Sequence, residues 1–449
     1  MNKIYFIGIN GIGMSGLAKI MKLKGYDVCG ADLSRNYVTE ELESLGVKVF
    51  GEHNAENILG ADLIVASSAI KKDNPEIIRA KDLGIKIIKR GELLALLMNK
   101  EKGIAVAGTH GKTTTSSMLG SLLLDSDPTI VVGGILPEIG SNARCGKTEI
   151  FIAEADESDN SFLHLTPEIS IITNIEADHL ENHGSLENIK KSFKQFMDQT
   201  KQEILVCDDC LETLELIKGR KNIKTYSIKK NDSDIIATDI KIINSKTVFT
   251  VIIDGEKFGE FELSIPGNHN IQNALPVIYL AKKYGIDKKR IAEKLLSFKG
   301  AKRRYDILHS DKIRIIDDYA HHPTEIKATI QGAKTIEKNK TIAIFQPHRY
   351  SRVNFLLNDF KGSFEGVDEV ILMPVYSAGE KNEFGVTLEK LKEKIGHKHC
   401  RIIEKNEDIE KIVTGEKESA TFLFMGAGNI SNLAHTIADN IGRTGNEII

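Results

Sequence analysis

One stretch of the chain constrains the fold more than any other. The apolar run Ile104-Ala-Val-Ala107 passes into Gly108-Thr109-His110-Gly111-Lys112-Thr113-Thr114, and a helix-like segment follows from Ser116 to Leu124. Small residues let backbone N–H groups approach an anion closely, and a helix N-terminus favours negative charge, so a strand, loop and helix in this order suit phosphate. Lys112 is placed to reach the β- and γ-phosphates of a nucleotide, and the Thr113 hydroxyl to take Mg²⁺. The loop is shorter than the general G-x-x-x-x-G-K-[ST] pattern, because Val106 stands where that pattern has its first glycine. An incidental turn is the competing reading, and the flanking strand and helix weigh against it.

Strand-like and helix-like segments alternate through the remainder, which predicts α/β architecture with parallel, helix-covered sheets. A chain of 449 residues is too long for one core. Strands are expected at 3–8, 27–31, 47–50 and 62–67, with a helix near 91–99. The charged break Lys100-Glu-Lys-Gly103 precedes a second unit, in which period-two alternation over 223–265 suggests an antiparallel insertion. A third unit begins near 302, with strands at 313–317, 341–345, 369–373 and 421–425. Three α/β domains are expected.

Composition excludes several classes. With 60 basic and 63 acidic residues the net charge is −3, which gives no electrostatic reason to expect nucleic acid or a membrane surface as partner. No apolar run reaches the ~18 residues of a membrane span. The opening Met-Asn-Lys-Ile-Tyr-Phe-Ile-Gly reads as a first strand and not a signal peptide. Five cysteines make no disulfide framework, so a reducing, cytoplasmic setting is expected. Cys207 and Cys210 form a single C-x-x-C that reads as a strand end and helix start rather than a metal or redox pair.

Further motifs cluster at strand ends. Gly8-Ile-Asn10-Gly11-Ile12-Gly13, with Asp32 closing the second strand, nearly meets the dinucleotide fingerprint, although Asn10 occupies the place of its second glycine. It predicts a pyrophosphate at this helix start, and a nicotinamide cofactor is only one source of a pyrophosphate. Two acidic clusters, Glu154-Ala-Asp156-Glu157-Ser158-Asp159 and Asp178-His179, follow apolar strands of the second unit. Mg²⁺ on phosphates takes one or two protein carboxylates, which makes Glu154 a candidate and His179 a less usual ligand for a second ion. Amides at His269-Asn270-Ile-Gln-Asn273 serve either as helix caps or as holders of a base. His321-His322 and His348-Arg349-Tyr-Ser-Arg352 end two strands of the third unit and form an anion site, since Arg grips carboxylates and phosphates bidentately.

Taken together, G-I-x-G-I-G-M-S-G, G-T-H-G-K-T-T-T, E-A-D-E-S-D, N-I-E-A-D-H-L, G-x-H-N-x-x-N-A, G-A-K-R-R, D-D-Y-A-H-H-P-T-E and F-Q-P-H-R-Y-S-R resemble the Mur ligase family, from Tyr5 to Asn429. The opening turn and the last two strings resemble its alanine-adding members. The resemblance implies a Rossmann-like UDP-substrate domain at 1–100, a central ATPase domain at 101–301 and a Rossmann-like C-terminal domain at 302–449. It also implies ATP and Mg²⁺, with UDP-N-acetylmuramate and L-alanine joined through an acyl phosphate. Gly8, Asn10, Gly11, Ile12, Gly13, Asp32 and Ser68 are then expected at the UDP substrate. The ATP set is Gly108 to Thr114 with Asn273, Arg304 and Asp318, the last near the ribose. His321, His348, Arg349 and Arg352 face the muramoyl–alanine end. Thr113, Glu154 and His179 hold metal, and Lys112, His179, His348, Arg349 and Arg352 carry the reaction. Siblings place a carbamylated lysine where this chain has Phe193, so none is assigned. A monomer or weak homodimer is expected. Rival readings are a ligase that recycles murein tripeptide, a nicotinamide-dependent oxidoreductase using Gly8–Gly13, and a nucleotide-gated binding module.

Overall fold

Short runs of Ile, Val, Phe and Ala form the strands of three sheets in the computed structural model, which describes residues 2–446. The first sheet contains β1 (Lys3–Ile7), β2 (Asp27–Ala31), β3 (Lys48–Phe50), β4 (Leu63–Ala66) and β5 (Lys86–Lys89). All are parallel, in the order β3-β2-β1-β4-β5. The helices are α1 (Ile12–Leu23), α2 (Tyr37–Ser44), α3 (Pro75–Asp82) and α4 (Arg90–Met98). Strand order reverses beside β1, which opens a crevice at the start of α1.

The second sheet has ten strands: β6 (Lys102–Ala107), β7 (Thr129–Leu136), β8 (Ser141–Arg144), β9 (Ile150–Glu154), β10 (Ile169–Ile172), β11 (Glu203–Cys207), β12 (Ile223–Ser227), β13 (Ile235–Ile243), β14 (Lys246–Ile253) and β15 (Glu256–Leu263). Their order is β15-β14-β13-β12-β11-β10-β6-β9-β7-β8. Helices α5 (Lys112–Leu122), α6 (Leu180–His183), α7 (Leu186–Asp198), α8 (Leu211–Ile217), α9 (Asn268–Lys283) and α10 (Lys288–Ser297) accompany it. The third sheet joins β16 (Asp306–Ser310), β17 (Ile313–Asp318), β18 (Lys340–Phe345), β19 (Glu369–Leu372), β20 (Cys400–Ile402) and β21 (Ala420–Met425) in the order β16-β17-β21-β18-β19-β20. Its helices are α11 (Pro323–Ile336), α12 (Tyr350–Phe355), α13 (Leu388–Ile395), α14 (Asn406–Thr414) and α15 (Ile430–Asn446).

The expected antiparallel insertion over 223–265 needs correcting. β12 pairs parallel with both β11 and β13, and only β13 to β15 run antiparallel, as a continuation of the central sheet. Residues 223–227 follow the α8 crossover, which returns the chain in the parallel sense. The hairpin β7–β8 and the edge strand β16 are also antiparallel. Both are short or polar, and neither carries a clear alternation in the sequence.

Apolar faces of α5 and α9 cover one side of the central sheet, burying Met118, Leu119, Leu122, Ile271, Leu275 and Ile278. On the other side Phe162 meets Phe193 edge to face and stacks on Phe196, in a cluster that continues into Leu93, Leu94 and Met98 of α4. The first two units therefore share one buried core. Phe193 is a fully buried member of it, so this position offers packing and no metal ligand.

Candidate active site

Two registers set the loop at 108–114 between acidic strand ends. Val106 lies opposite Glu154, and Ala107 lies opposite Ile172. The loop is fastened to the end of β10. The Thr109 N–H donates to the Asn174 carbonyl at 3.0 Å, and the His110 N–H to Asn174 Oδ1 at 2.9 Å. The Thr173 hydroxyl and the Asn174 amide in turn donate to the His110 carbonyl, at 2.6 and 3.0 Å. Gly108 (φ 139°) and Gly111 (φ 83°) allow this path: a Cβ on the first would lie 1.9 Å from Thr173 Oγ1, and on the second 2.6 Å from Asn273 Oδ1. The helix starts at Lys112, four residues before the sequence suggested, because Gly111 supplies the left-handed turn that begins it.

Lys112 Nζ donates to the carbonyls of Gly108 and Thr109 at 2.6 and 3.0 Å and to Glu157 at 2.9 Å. Burial opposes its charge, but Glu157, Glu154 and Asp156 outweigh burial and raise its pKa, so the ammonium is retained. The Thr113 hydroxyl meets Glu154 Oε2 at 2.9 Å, and the Gly133 N–H donates to the same oxygen at 2.8 Å. A hydroxyl and a carboxylate at one point are hard oxygen donors of the kind Mg²⁺ selects, so these two residues fit that ion. His179 sits in left-handed backbone before α6, and its ring faces Asp178 at 3.6 Å.

A cavity of about 670 Å³ runs from this loop to the third unit. His110, Gly111, Thr114, Asn273, Arg304 and Asp318, all expected at ATP, line it. Cys207, Cys210, Tyr226 and Ile228 line it as well, so the C-x-x-C forms part of a wall, with Cys207 ending β11 and Cys210 starting α8. Burial raises Asp318 to about 6, partly countered by Arg304 and by the N–H groups of Ala320 and Tyr305.

The third unit meets the central one through charged groups. Arg352 Nε lies 3.5 Å from Asp178 Oδ1, and its Nη1 donates to His348 Nδ1 at 3.1 Å. Burial raises the Asp178 carboxyl's proton affinity, yet Arg352 and the nearby histidines hold its pKa well below the usual range. His348 stacks on Tyr376 at 5.6 Å and is driven down to about 3 by burial, His321 and the neighbouring arginines. His321 Nδ1 donates to the Tyr319 carbonyl at 2.9 Å, and burial lowers its pKa to about 4. Both rings are therefore neutral. Arg349 and Arg352 do not share a helix: only Arg352 lies within α12. Arg349 precedes α12 with φ 66°, which turns its side chain off the helical path.

His110 is a further junction. Its Nδ1 lies 3.2 Å from Glu325 Oε1 and its Nε2 3.4 Å from Glu176 Oε2. Burial disfavours its charge, but the two carboxylates overcome burial and lift its pKa to about 10. Potential ligand atoms of His110, Glu176 and His322 fall within 4.8 Å of one another. They make a poor cation site, because His110 is protonated and His322 Nδ1 accepts the Thr324 N–H at 3.3 Å, leaving the proton on Nε2.

In the first unit, α1 begins at the expected turn with Gly11 as its cap. The Asp32 carboxylate accepts the N–H of Asn10 at 3.0 Å and the N–H and hydroxyl of Ser34 at 3.1 and 3.0 Å, so it braces the loop. The Asn10 amide points away from the start of α1, donating to the Ser34 carbonyl and the Thr39 hydroxyl. Ser68 is exposed in the turn after β4. Sequence reasoning missed Arg90, whose guanidinium packs at the place of a Gly13 side chain and donates to Asp156 at 2.9 Å. A cation in a helix's first turn opposes the dipole, and that was the available signal. Glu176 and Glu325 were also missed; the latter closes a capping box over His321 and His322, legible in H-H-P-T-E.

Residues 3–102 match the Mur ligase family, catalytic domain; residues 106–281 match the Mur ligase middle domain; residues 303–428 match the Mur ligase, glutamate ligase domain. The UDP-N-acetylmuramate–L-alanine ligase of Fusobacterium nucleatum subsp. nucleatum is 58% identical, over 98% of this chain and 97% of its own. That of Carboxydothermus hydrogenoformans is 43% identical, over 97% and 96%. The crystal structure of UDP-N-acetylmuramate-alanine ligase from Thermotoga maritima superposes with a TM-score of 0.85 at 32% identity, covering 99% of this chain and all (100%) of that one.

Proposed function

The chain belongs to the Mur ligase family, and from that premise we propose that it joins L-alanine to the lactyl carboxylate of UDP-N-acetylmuramate at the expense of ATP. The observation that carries this reading is the pairing of Lys112 with Glu157 and of Thr113 with Glu154, in a loop whose His110, Gly111 and Thr114 line one cavity with Arg304 and Asp318 of the third unit. A second phosphate-type turn, Gly8 to Gly13, belongs to a separate sheet and receives the UDP moiety.

The lactyl carboxylate attacks the γ-phosphorus of ATP, giving an acyl phosphate and ADP. The neutral amine of alanine then attacks the acyl carbon, and phosphate leaves. Lys112 neutralises the transferring phosphoryl group, and the N–H groups at the start of α5 orient it. Thr113 and Glu154 would hold Mg²⁺, which supplies charge compensation on the phosphates. His179 and Asp178 stand on the side facing the third unit, where Arg352, Arg349 and the neutral His321 and His348 receive the alanine end. His321 carries its proton on Nδ1, so its Nε2 is an acceptor toward the incoming amine.

Among the described residues no helix is long and apolar enough to cross a membrane. A cytoplasmic monomer or weak homodimer accords with that and with the balanced charge. A nicotinamide oxidoreductase leaves the loop at 108–114 without a purpose, a nucleotide-gated binding module leaves the acidic clusters at 154–159 and 178–179 without one, and relatives 58% and 43% identical carry the alanine-adding activity rather than the tripeptide one in their names. Lys112→Ala tests the reading. ADP formation should drop by ~10²–10³ while the UDP substrate still binds in calorimetry. Turnover above about a tenth of wild type would move the ATP site elsewhere.

A further inference from the structure

Two polar contacts cross between the central and third units beside the loop at 108–114, and a third contact links them. His110 Nδ1 reaches Glu325 in the first turn of α11 at 3.2 Å, and Thr324 Oγ1 donates to Glu176 Oε2 at 2.8 Å. Glu176 also faces His110 Nε2 at 3.4 Å, which links the set into one chain, Glu325–His110–Glu176–Thr324. The His110 side chain is 12% exposed and its imidazole packs against that of His322 at 4.7 Å. Its main chain is pinned on both sides by Thr173 and Asn174, and Lys112 follows two residues later. Arg304, on the cavity wall, lies 3.9 Å from the same Glu325 oxygen.

We propose that His110, clasped between Glu176 and Glu325, is a positioning residue that couples the phosphate loop to the seating of the third domain. The proposal rests on the loop being the ATP site. His110 lies in a loop anchored at its backbone, so its side chain takes a fixed position only where both carboxylates are in place. Glu325 arrives with α11. Seating of α11 therefore adds a side-chain anchor to the loop that presents Lys112, and Thr324, Glu325 and Ala328 of the same helix wall the cavity. An acyl phosphate formed before that seating would meet water instead of alanine. The clasp ties the first chemical step to a closed site.

The test compares wild type with Glu325→Gln and Thr324→Val, measuring ATP affinity by calorimetry, ADP release, and amide product in the same reactions. The Gln oxygen can still accept from the N–H groups of His321 and His322, which keeps the α11 cap. Expected results are ATP Kd within about threefold of wild type, kcat reduced by about ten- to a hundredfold, and more than one ADP released per amide. A merely structural contact would lower Tm and leave the ADP-to-amide ratio at one. His110→Gln combined with Glu325→Gln should be no worse than the poorer single variant, since both break one clasp. Wild-type kcat and an unchanged ratio in Glu325→Gln, or fully additive losses in the double variant, overturn the proposal. If wild type itself forms no amide from these substrates, the functional reading fails first. Hydrogen exchange then still decides the clasp: Glu325→Gln should raise exchange at the amides of 108–113 with ATP bound, and equal exchange refutes it.

Discussion

Gly108→Ala places the sharpest demand on this account of the phosphate loop. An added Cβ would lie 1.9 Å from Thr173 Oγ1 and 3.1 Å from the backbone N and O of Asn174. Contacts of that kind do not fall below 3.0 Å, so either the loop or Thr173 must move by about 1 Å. Alanine would also have to hold φ near 139°, a strain of ~1–3 kcal/mol. Displacing Thr173 removes its bond to the His110 carbonyl, a further ~0.5–1.5 kcal/mol. The sum, ~1.5–4.5 kcal/mol, is enough to shift the loop without unfolding a chain of this size. A misplacement of about 1 Å typically costs ~10²-fold in rate. ADP release followed against ATP concentration should show kcat/KM reduced by about that factor, with a cooperative melt retained. Thr173→Ala in the same chain removes the nearest atom, so the double variant should recover part of the loss. Gly108→Ala within threefold of wild type, or a double variant worse than the product of the singles, would refute the steric argument.

Gly11→Val should weaken the UDP substrate and spare ATP in separate titrations. The protein itself leaves room for a Cβ there, with Gly8 O at 3.5 Å, so the loss would come from blocked ligand approach. Arg349→Ala and Arg352→Ala should each raise KM for L-alanine or lower kcat while ATP still binds; the second should also lower Tm, because Asp178 is left buried without its cation. Wild-type kcat/KM for alanine in both would put the amino-acid site elsewhere. His110 holds its proton to about pH 10 when folded, against ~6.5 unfolded. Its folded pKa is raised, so its stabilisation is complete below ~6.5 and lost as pH rises through about 10. Wild-type Tm should therefore fall over that window more steeply than that of His110→Gln; parallel slopes would contradict it.

Local chemistry was the legible part of this chain. Glycines at 108 and 111, a lysine after them and apolar runs on either side specify strand, loop and helix from neighbours in sequence alone, and the fold follows. Partners across a sheet were legible where a strand register is implied, as with Glu154 beside the loop. Contacts between units were not. Asp178 with Arg352 and His110 with Glu325 join residues 174 and 215 positions apart, and no pattern within either segment names the other. Arg349 illustrates a second limit: it stands three residues before Arg352, yet the helix begins one residue after it, so the two do not share a helical face. The parallel pairing of β12 was lost in the same way, since alternation reports a half-exposed strand and not its direction.

Amide formation and ADP release, measured together over a panel of acceptors and amino acids, decide whether the chain is an alanine-adding ligase. With the purified chain, ATP and Mg²⁺, UDP-N-acetylmuramate and L-alanine should give ADP and amide in equal amounts. Neither product should form when UDP-N-acetylmuramate is omitted. Preference for murein tripeptide over L-alanine, or ADP release that is indifferent to the UDP substrate, would contradict that reading.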